Sequence, residues 1–202
     1  ALSYKKAISF KTNYLNAYNN LGFLNKKLGK LLEAEGNFRK AISLKPDFIE
    51  ALINLGNTLK DLGRLDEAGT IYKKIIVLKP DYPEAFNNLG LIFKDLSRFG
   101  EAENCYKKAL EFNPDFAEAH NNLGNALLNQ AKFEEAELSF SKAIQLKPNY
   151  PEPHNNLGIT LKTFGKLNQA QECFNKAIET KPTYSGAHYN LTLLKKFETK
   201  DE

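Results

Sequence analysis

The sequence predicts an all-α solenoid of stacked antiparallel helix pairs, and three observations predict it. Pro46, Pro80, Pro114, Pro148 and Pro182 recur every 34 residues, and Gly22, Gly56, Gly90, Gly124 and Gly158 keep the same step. A fixed period of that size means one small unit stacked on copies of itself. Within each period the apolar residues fall into two stripes of helical spacing. Helix stop and start signals then mark every junction between periods.

Alignment on the glycines gives complete repeats at 15–48, 49–82, 83–116, 117–150 and 151–184. Residues 1–14 read as the second helix of a truncated preceding repeat, and 185–202 as a C-terminal capping helix and tail. The first helix of each repeat covers roughly positions 1–14. Its stripe includes an invariant Leu at position 7 (Leu21, Leu55, Leu89, Leu123, Leu157), followed by the glycine. The turn is marked by Gly29, Gly63 and Gly165, with Ser97–Arg98 and Asn129–Gln130 in the other two repeats. The second helix covers roughly positions 17–30. It carries Ala34, Ala68, Ala102, Ala136 and Ala170 at position 20, and an aromatic at position 24 (Phe38, Tyr72, Tyr106, Phe140, Phe174). Small residues let the two helices approach, and the aromatic fills the space beside them.

The junctions read as capping boxes: Asp47 with Glu50, Asp81 with Glu84, Asp115 with Glu118, and Asn149 with Glu152. The proline just before each cap stops the preceding helix, because it has no backbone N–H to donate.

Composition excludes several classes. Charged residues make up 26% of the chain, and the net charge of +4 is spread over 28 basic and 24 acidic side chains. That mixture does not argue for nucleic acid. No run of 18 apolar residues exists to span a membrane. Cys105 and Cys173 both occupy position 23, two repeats apart, too distant to pair. Unpaired thiols fit a reducing compartment, so a cytoplasmic location is expected.

No catalytic or metal constellation emerges. His120, His154 and His188 all occupy position 4, one repeat apart, and metal ligands must converge on one point. They fill the slot of Tyr18 and Phe86 elsewhere and read as packed residues. The acids at position 19 (Glu33, Glu67, Glu101, Glu135) sit in the first turn of a helix, where the dipole favours them. Neither an enzymatic activity nor a cofactor is expected of the array.

Asparagine resists a packing explanation. Position 6 is Asn20, Asn54, Asn88, Asn122, Asn156 and Asn190, and position 5 adds Asn19, Asn87, Asn121 and Asn155 while relaxing to Ile53 and Tyr189. Asn costs up to about 0.7 kcal/mol against Ala inside a helix. Its amide offers a donor and an acceptor, matching the N–H and C=O of a peptide backbone. Packed helices lie about 8–10 Å apart and a strand advances about 3.3 Å per residue, so one Asn per repeat can grip roughly every third residue of a bound strand. Two explanations compete: tandem duplication can copy an Asn without any use for it, and a position-6 amide can brace a neighbouring repeat. Position 9 (Phe23, Asn57, Leu91, Asn125, Ile159) alternates apolar and amide groups. Position 12 supplies Lys26, Lys60, Lys94, Lys162 and Lys196, suited to an acidic peptide or to the helix dipole.

Leu-Gly at positions 7–8, Ala at 20, Tyr or Phe at 24, Ala at 27 and Pro at 32 resemble the tetratricopeptide repeat (TPR) over essentially the whole chain. The family's common Trp at position 4 is absent. The wording AEAHNNLGNAL and PEPHNNLGITL is most similar to the repeats of O-GlcNAc transferase and bacterial multi-TPR proteins. The resemblance implies a right-handed α-α superhelix with the first helices lining its concave face, and a concave Asn ladder that binds peptide. The lysine clamp of chaperone-tail-binding members falls on position 5, which is not Lys here.

The expected function is therefore a protein-interaction scaffold that binds an extended peptide or a partner protein. The alternatives are a substrate-recruiting arm of a larger bacterial transferase, of glycosyltransferase or sulfotransferase type, and an oligomerisation module. The last would use the convex helices or the uncapped N-terminal helix to form a homo-oligomer. The truncated first repeat and the lack of Met mark the chain as a fragment, and the tail after the capping helix resembles the segment preceding such transferase domains.

Overall fold

A computed structural model describes residues 15–198, with side chains to Leu194. The helix expected over 1–14 lies outside the described residues, as do the tail after Glu198 and the side chain of Lys196. The described chain holds eleven α-helices and no strand: α1 Leu15–Lys27, α2 Leu31–Leu44, α3 Ile49–Asp61, α4 Leu65–Leu78, α5 Pro83–Asp95, α6 Phe99–Phe112, α7 Ala117–Leu128, α8 Phe133–Leu146, α9 Pro151–Thr163, α10 Leu167–Thr180 and α11 Ser185–Glu198. They divide into two bodies, residues 1–97 with α1–α5 and residues 98–202 with α6–α11.

Within each body the arrangement follows from the repeat. In the first, α1 packs on α2 and α3 on α4, while α2 meets α3 and α4 meets α5. In the second, α7 packs on α8 and α9 on α10, with α6 against α7, α8 against α9 and α10 against α11. The aromatic at position 24 is the core of each pair: Phe38, Tyr72, Phe140 and Phe174 are all but fully buried. Glycine at position 8 is required by that ring. A Cβ on Gly22 would lie 2.6 Å from Phe38 Cε1, and one on Gly158 2.5 Å from Phe174 Cε1. The helix pair closes only because no side chain stands between backbone and ring.

The capping boxes are not formed. The N-cap residues are Phe48, Tyr82, Phe116 and Tyr150, and none caps through its side chain. The reason is the proline. Phe48 N donates to Lys45 O (3.1 Å), Phe116 N to Asn113 O (3.2 Å) and Tyr150 N to Lys147 O (3.1 Å), closing four-residue turns with Pro at the second place. Asp47, Asp115 and Asn149 are therefore turn residues, and the helix starts after the aromatic. Lys79 lies over the Tyr82 ring (4.5 Å) and Lys147 over Tyr150 (5.0 Å), anchoring it there. Glu50, Glu84, Glu118 and Glu152 still sit in the first turn, where the helix dipole favours a carboxylate.

The turns inside the repeats fall where expected, Asn129 and Gln130 included. Gly29, Gly63 and Gly165 adopt φ of +73°, +74° and +71°. The equivalent residues elsewhere, Ser97 (58°) and Ala131 (57°), take the same left-handed conformation.

A brace between repeats appears that the sequence reading missed. Glu35 at position 21 meets Arg64 at position 16 of the next repeat (2.7 Å), and Glu103 meets Lys132 in the same way (2.8 Å). Glu137 and Lys166 repeat the pattern at 3.5 Å.

Candidate functional site

The asparagines divide into two sets with different surroundings. Those at position 5 are buried: Asn19 at 2% exposure, Asn87 at 7%, Asn121 at 5% and Asn155 at 5%. Among the position-6 residues Asn20 is exposed, and Asn54, Asn88, Asn122, Asn156 and Asn190 are half-buried. Adjacent helical residues point about 100° apart, so a double Asn cannot present both amides to one face.

Hydrogen bonds tie the two sets together across the repeat boundary. Asn54 Nδ2 donates to Asn19 Oδ1 (3.0 Å), Asn156 Nδ2 to Asn121 Oδ1 (3.1 Å) and Asn190 Nδ2 to Asn155 Oδ1 (2.8 Å). The position-5 amide also uses its nitrogen. Asn19 Nδ2 donates to Glu50 Oε1 (2.7 Å), and Asn121 Nδ2 lies 3.4 Å from Tyr150 Oη. Burial, with Glu152 and Glu118 nearby, pushes the Tyr150 hydroxyl up to about 12 despite the Asn121 bond, so it stays protonated. Asn155 Nδ2 contacts Asn156 Oδ1 at 3.4 Å.

Asn19, Asn121 and Asn155 have their amides engaged on both sides and, with Asn87, are buried. The position-6 set stays accessible, although Asn54, Asn156 and Asn190 each have one amide hydrogen committed to the preceding repeat.

The remaining expected residues are scattered in role. Tyr72 Oη donates to Asn57 Oδ1 (2.7 Å), which ties that amide to the core ring, while Asn125 is half-buried on α7. Lys26 reaches Asp61 of the next repeat (3.0 Å), and Lys94 pairs with its neighbour Asp95 (3.2 Å). Lys60 and Lys162 are half-buried. The row of ammonium groups is thus partly neutralised within the protein.

The histidines are clasps. His120, His154 and His188 each donate Nε2–H to the carbonyl of the proline six residues earlier, Pro114, Pro148 and Pro182, at 2.8–2.9 Å. Burial lowers the affinity of His120 for a second proton. Among the described residues no group of His, Cys, Asp and Glu is arranged to hold a metal ion, and no helix is long and apolar enough to cross a membrane.

Family models described as TPR repeat or tetratricopeptide repeat match residues 15–48, 37–70, 56–97, 90–131, 117–150 and 139–172. The chain belongs to the tetratricopeptide repeat family. No curated protein matches it in sequence. Solved TPR structures share its fold. YrrB, described as a TPR protein with an unusual peptide-binding site, is 24% identical, with 92% of this chain and 96% of that chain covered and a TM-score of 0.69. TTC0263, a TPR protein of Thermus thermophilus, is 24% identical over 89% and 98% of the two chains, with a TM-score of 0.73. PilF from Pseudomonas aeruginosa is 22% identical over 93% and 86%, with a TM-score of 0.81. At these identities the likeness is one of fold, and the repeat family is that of protein-interaction scaffolds.

Proposed function

We propose that this TPR chain is a non-catalytic scaffold that binds an extended segment of a partner protein along its first helices, through the position-6 asparagines. The observation that carries the reading is the row Asn20, Asn54, Asn88, Asn122, Asn156 and Asn190: accessible amides at one offset in successive repeats. Where a rung donates one amide hydrogen backwards, as at Asn54 and Asn190, its second hydrogen and its oxygen have no partner among the described residues. Such an amide still has a donor and an acceptor to offer a peptide backbone. The peptide-binding site named for YrrB supports the same use of the fold.

Neither cofactor nor metal enters this function, and the evenly mixed surface charge favours a protein ligand over nucleic acid. Cys105 and Cys173 form no disulfide, which suits a cytoplasmic protein. The test replaces Asn54, Asn88, Asn122 and Asn156 together by Ala and measures binding to a display library of 12-residue peptides, with thermal melting alongside. Loss of binding in a chain that remains folded at the assay temperature supports the scaffold reading; retained affinity overturns it.

A further inference from the structure

Asn88 breaks the rung pattern. Bonded rungs join residues 35 apart, from position 6 of one repeat to position 5 of the one before. The partner assigned to Asn88 is Ile53, whose side chain accepts nothing. The Asn88 amide makes no hydrogen bond among the described residues, so both its donor hydrogens and its oxygen are uncommitted.

The surroundings of this rung are also distinct. Ile53 on α3 and Leu91, one helical turn beyond Asn88 on α5, are each half-exposed. Neighbouring first helices α1 and α3, α7 and α9, and α9 and α11 are in contact, whereas α3 and α5 approach less closely. α5 packs against α4. A Cβ on Gly69 would lie 3.6 Å from Ile92 Cγ2 and 3.8 Å from Leu89 Cδ1.

We propose that Ile53, Asn88 and Leu91 form the principal peptide grip of this chain. The Asn88 amide takes the N–H and C=O of one residue of an extended segment. Successive side chains of such a segment point to opposite faces, so an adjacent residue turns its side chain toward Ile53 and Leu91, which accept an aliphatic group. The ligand is thus an extended peptide with an aliphatic residue at a fixed place. Bonded rungs such as Asn156 act first as inter-repeat braces.

This inference rests on the scaffold reading, and one experiment separates the two. A display library of 12-residue peptides is selected on the whole chain, and the tightest binder is synthesised with a fluorophore. Kd by anisotropy and melting temperature are then measured for wild type, Asn88→Ala, Asn156→Ala, Ile53→Val and Ile53→Asn. Asn88→Ala is expected to weaken binding about tenfold with an unchanged melting temperature. Asn156→Ala is expected to lower the melting temperature while changing Kd less than about threefold. Ile53→Val retains binding. Ile53→Asn replaces the aliphatic contact with an amide that also engages one Asn88 hydrogen, and is expected to weaken the peptide. Equal affinity of Asn88→Ala and wild type, alongside lost binding in Asn156→Ala, overturns this inference and leaves the scaffold reading standing. So does a fall in melting temperature for Asn88→Ala as large as that for Asn156→Ala. Failure of wild type to select any peptide overturns both.

Discussion

Glu103→Gln is expected to remove about 2 kcal/mol of stability at neutral pH and to leave the chain less sensitive to acid. The Glu103 side chain is only 8% exposed. Its oxygens accept from Lys107 Nζ (2.6 Å), Lys132 Nζ (2.8 Å) and Gln130 Nε2 (2.9 Å), the last two belonging to the next repeat. Burial alone would push the carboxyl up. The bonds from Lys107, Lys132 and Gln130 outweigh it and hold the group at about 2, against an ordinary 4.5. A displacement of that size corresponds to about 3 kcal/mol at most. The two lysines are 49% and 39% exposed, so solvent screens them and about 2 kcal/mol is the figure to expect. Because the folded carboxyl holds its proton less tightly than the unfolded one, this contribution is complete above pH 4.5 and is lost as pH falls toward 2. Glutamine cannot reproduce it, since its amide nitrogen turns a donor toward ammonium groups. Urea unfolding followed by circular dichroism at pH 7, 5, 4 and 3 provides the measurement. The gap between wild type and variant should close as pH drops. A gap that stays constant across that range, or one absent at pH 7, would refute the assignment of this stability to the ionised carboxylate.

Two further substitutions test the repeat geometry. Ala131→Gly, at φ 57° where three repeats carry glycine near +73°, should stabilise by about 0.5–1 kcal/mol and raise the melting temperature by a few degrees. Gly158→Ala places a methyl 2.5 Å from the Phe174 ring and should destabilise by about 1–3 kcal/mol, with part of the loss recovered when Phe174→Leu is added to the same chain.

Most of the fold was legible because the repeat writes its own packing. Leu at position 7, Gly at 8, Ala at 20 and the aromatic at 24 contact one another inside a single repeat, so their spacing alone identifies two facing helices. The errors fall where a second physical effect competes with the pattern. Asp47 and Glu50 match a capping box letter for letter, yet Pro46 turns Lys45–Phe48 into a hydrogen-bonded turn and moves the helix start beyond the acid. The brace from position 21 to position 16 had a readable signal. Glu35, Glu103 and Glu137 stand opposite Arg64, Lys132 and Lys166 at a constant separation of 29 residues.

The candidate site was legible only in part, for a reason specific to solenoids. Periodicity within one repeat separates buried from exposed faces, but it does not say which face meets the neighbouring repeat. Asn19 and Asn20 are adjacent and look alike in sequence, yet stacking buries the first and leaves the second open. The two uses of the amides are therefore linked. A bonded rung such as Asn156 contributes to stacking through the same group that it would offer to a peptide, so a substitution there changes repeat geometry and ligand contact together. Asn88 escapes this linkage because Ile53 took away its acceptor. The deviation from the repeat pattern is thus the place where recognition can be measured separately from stability.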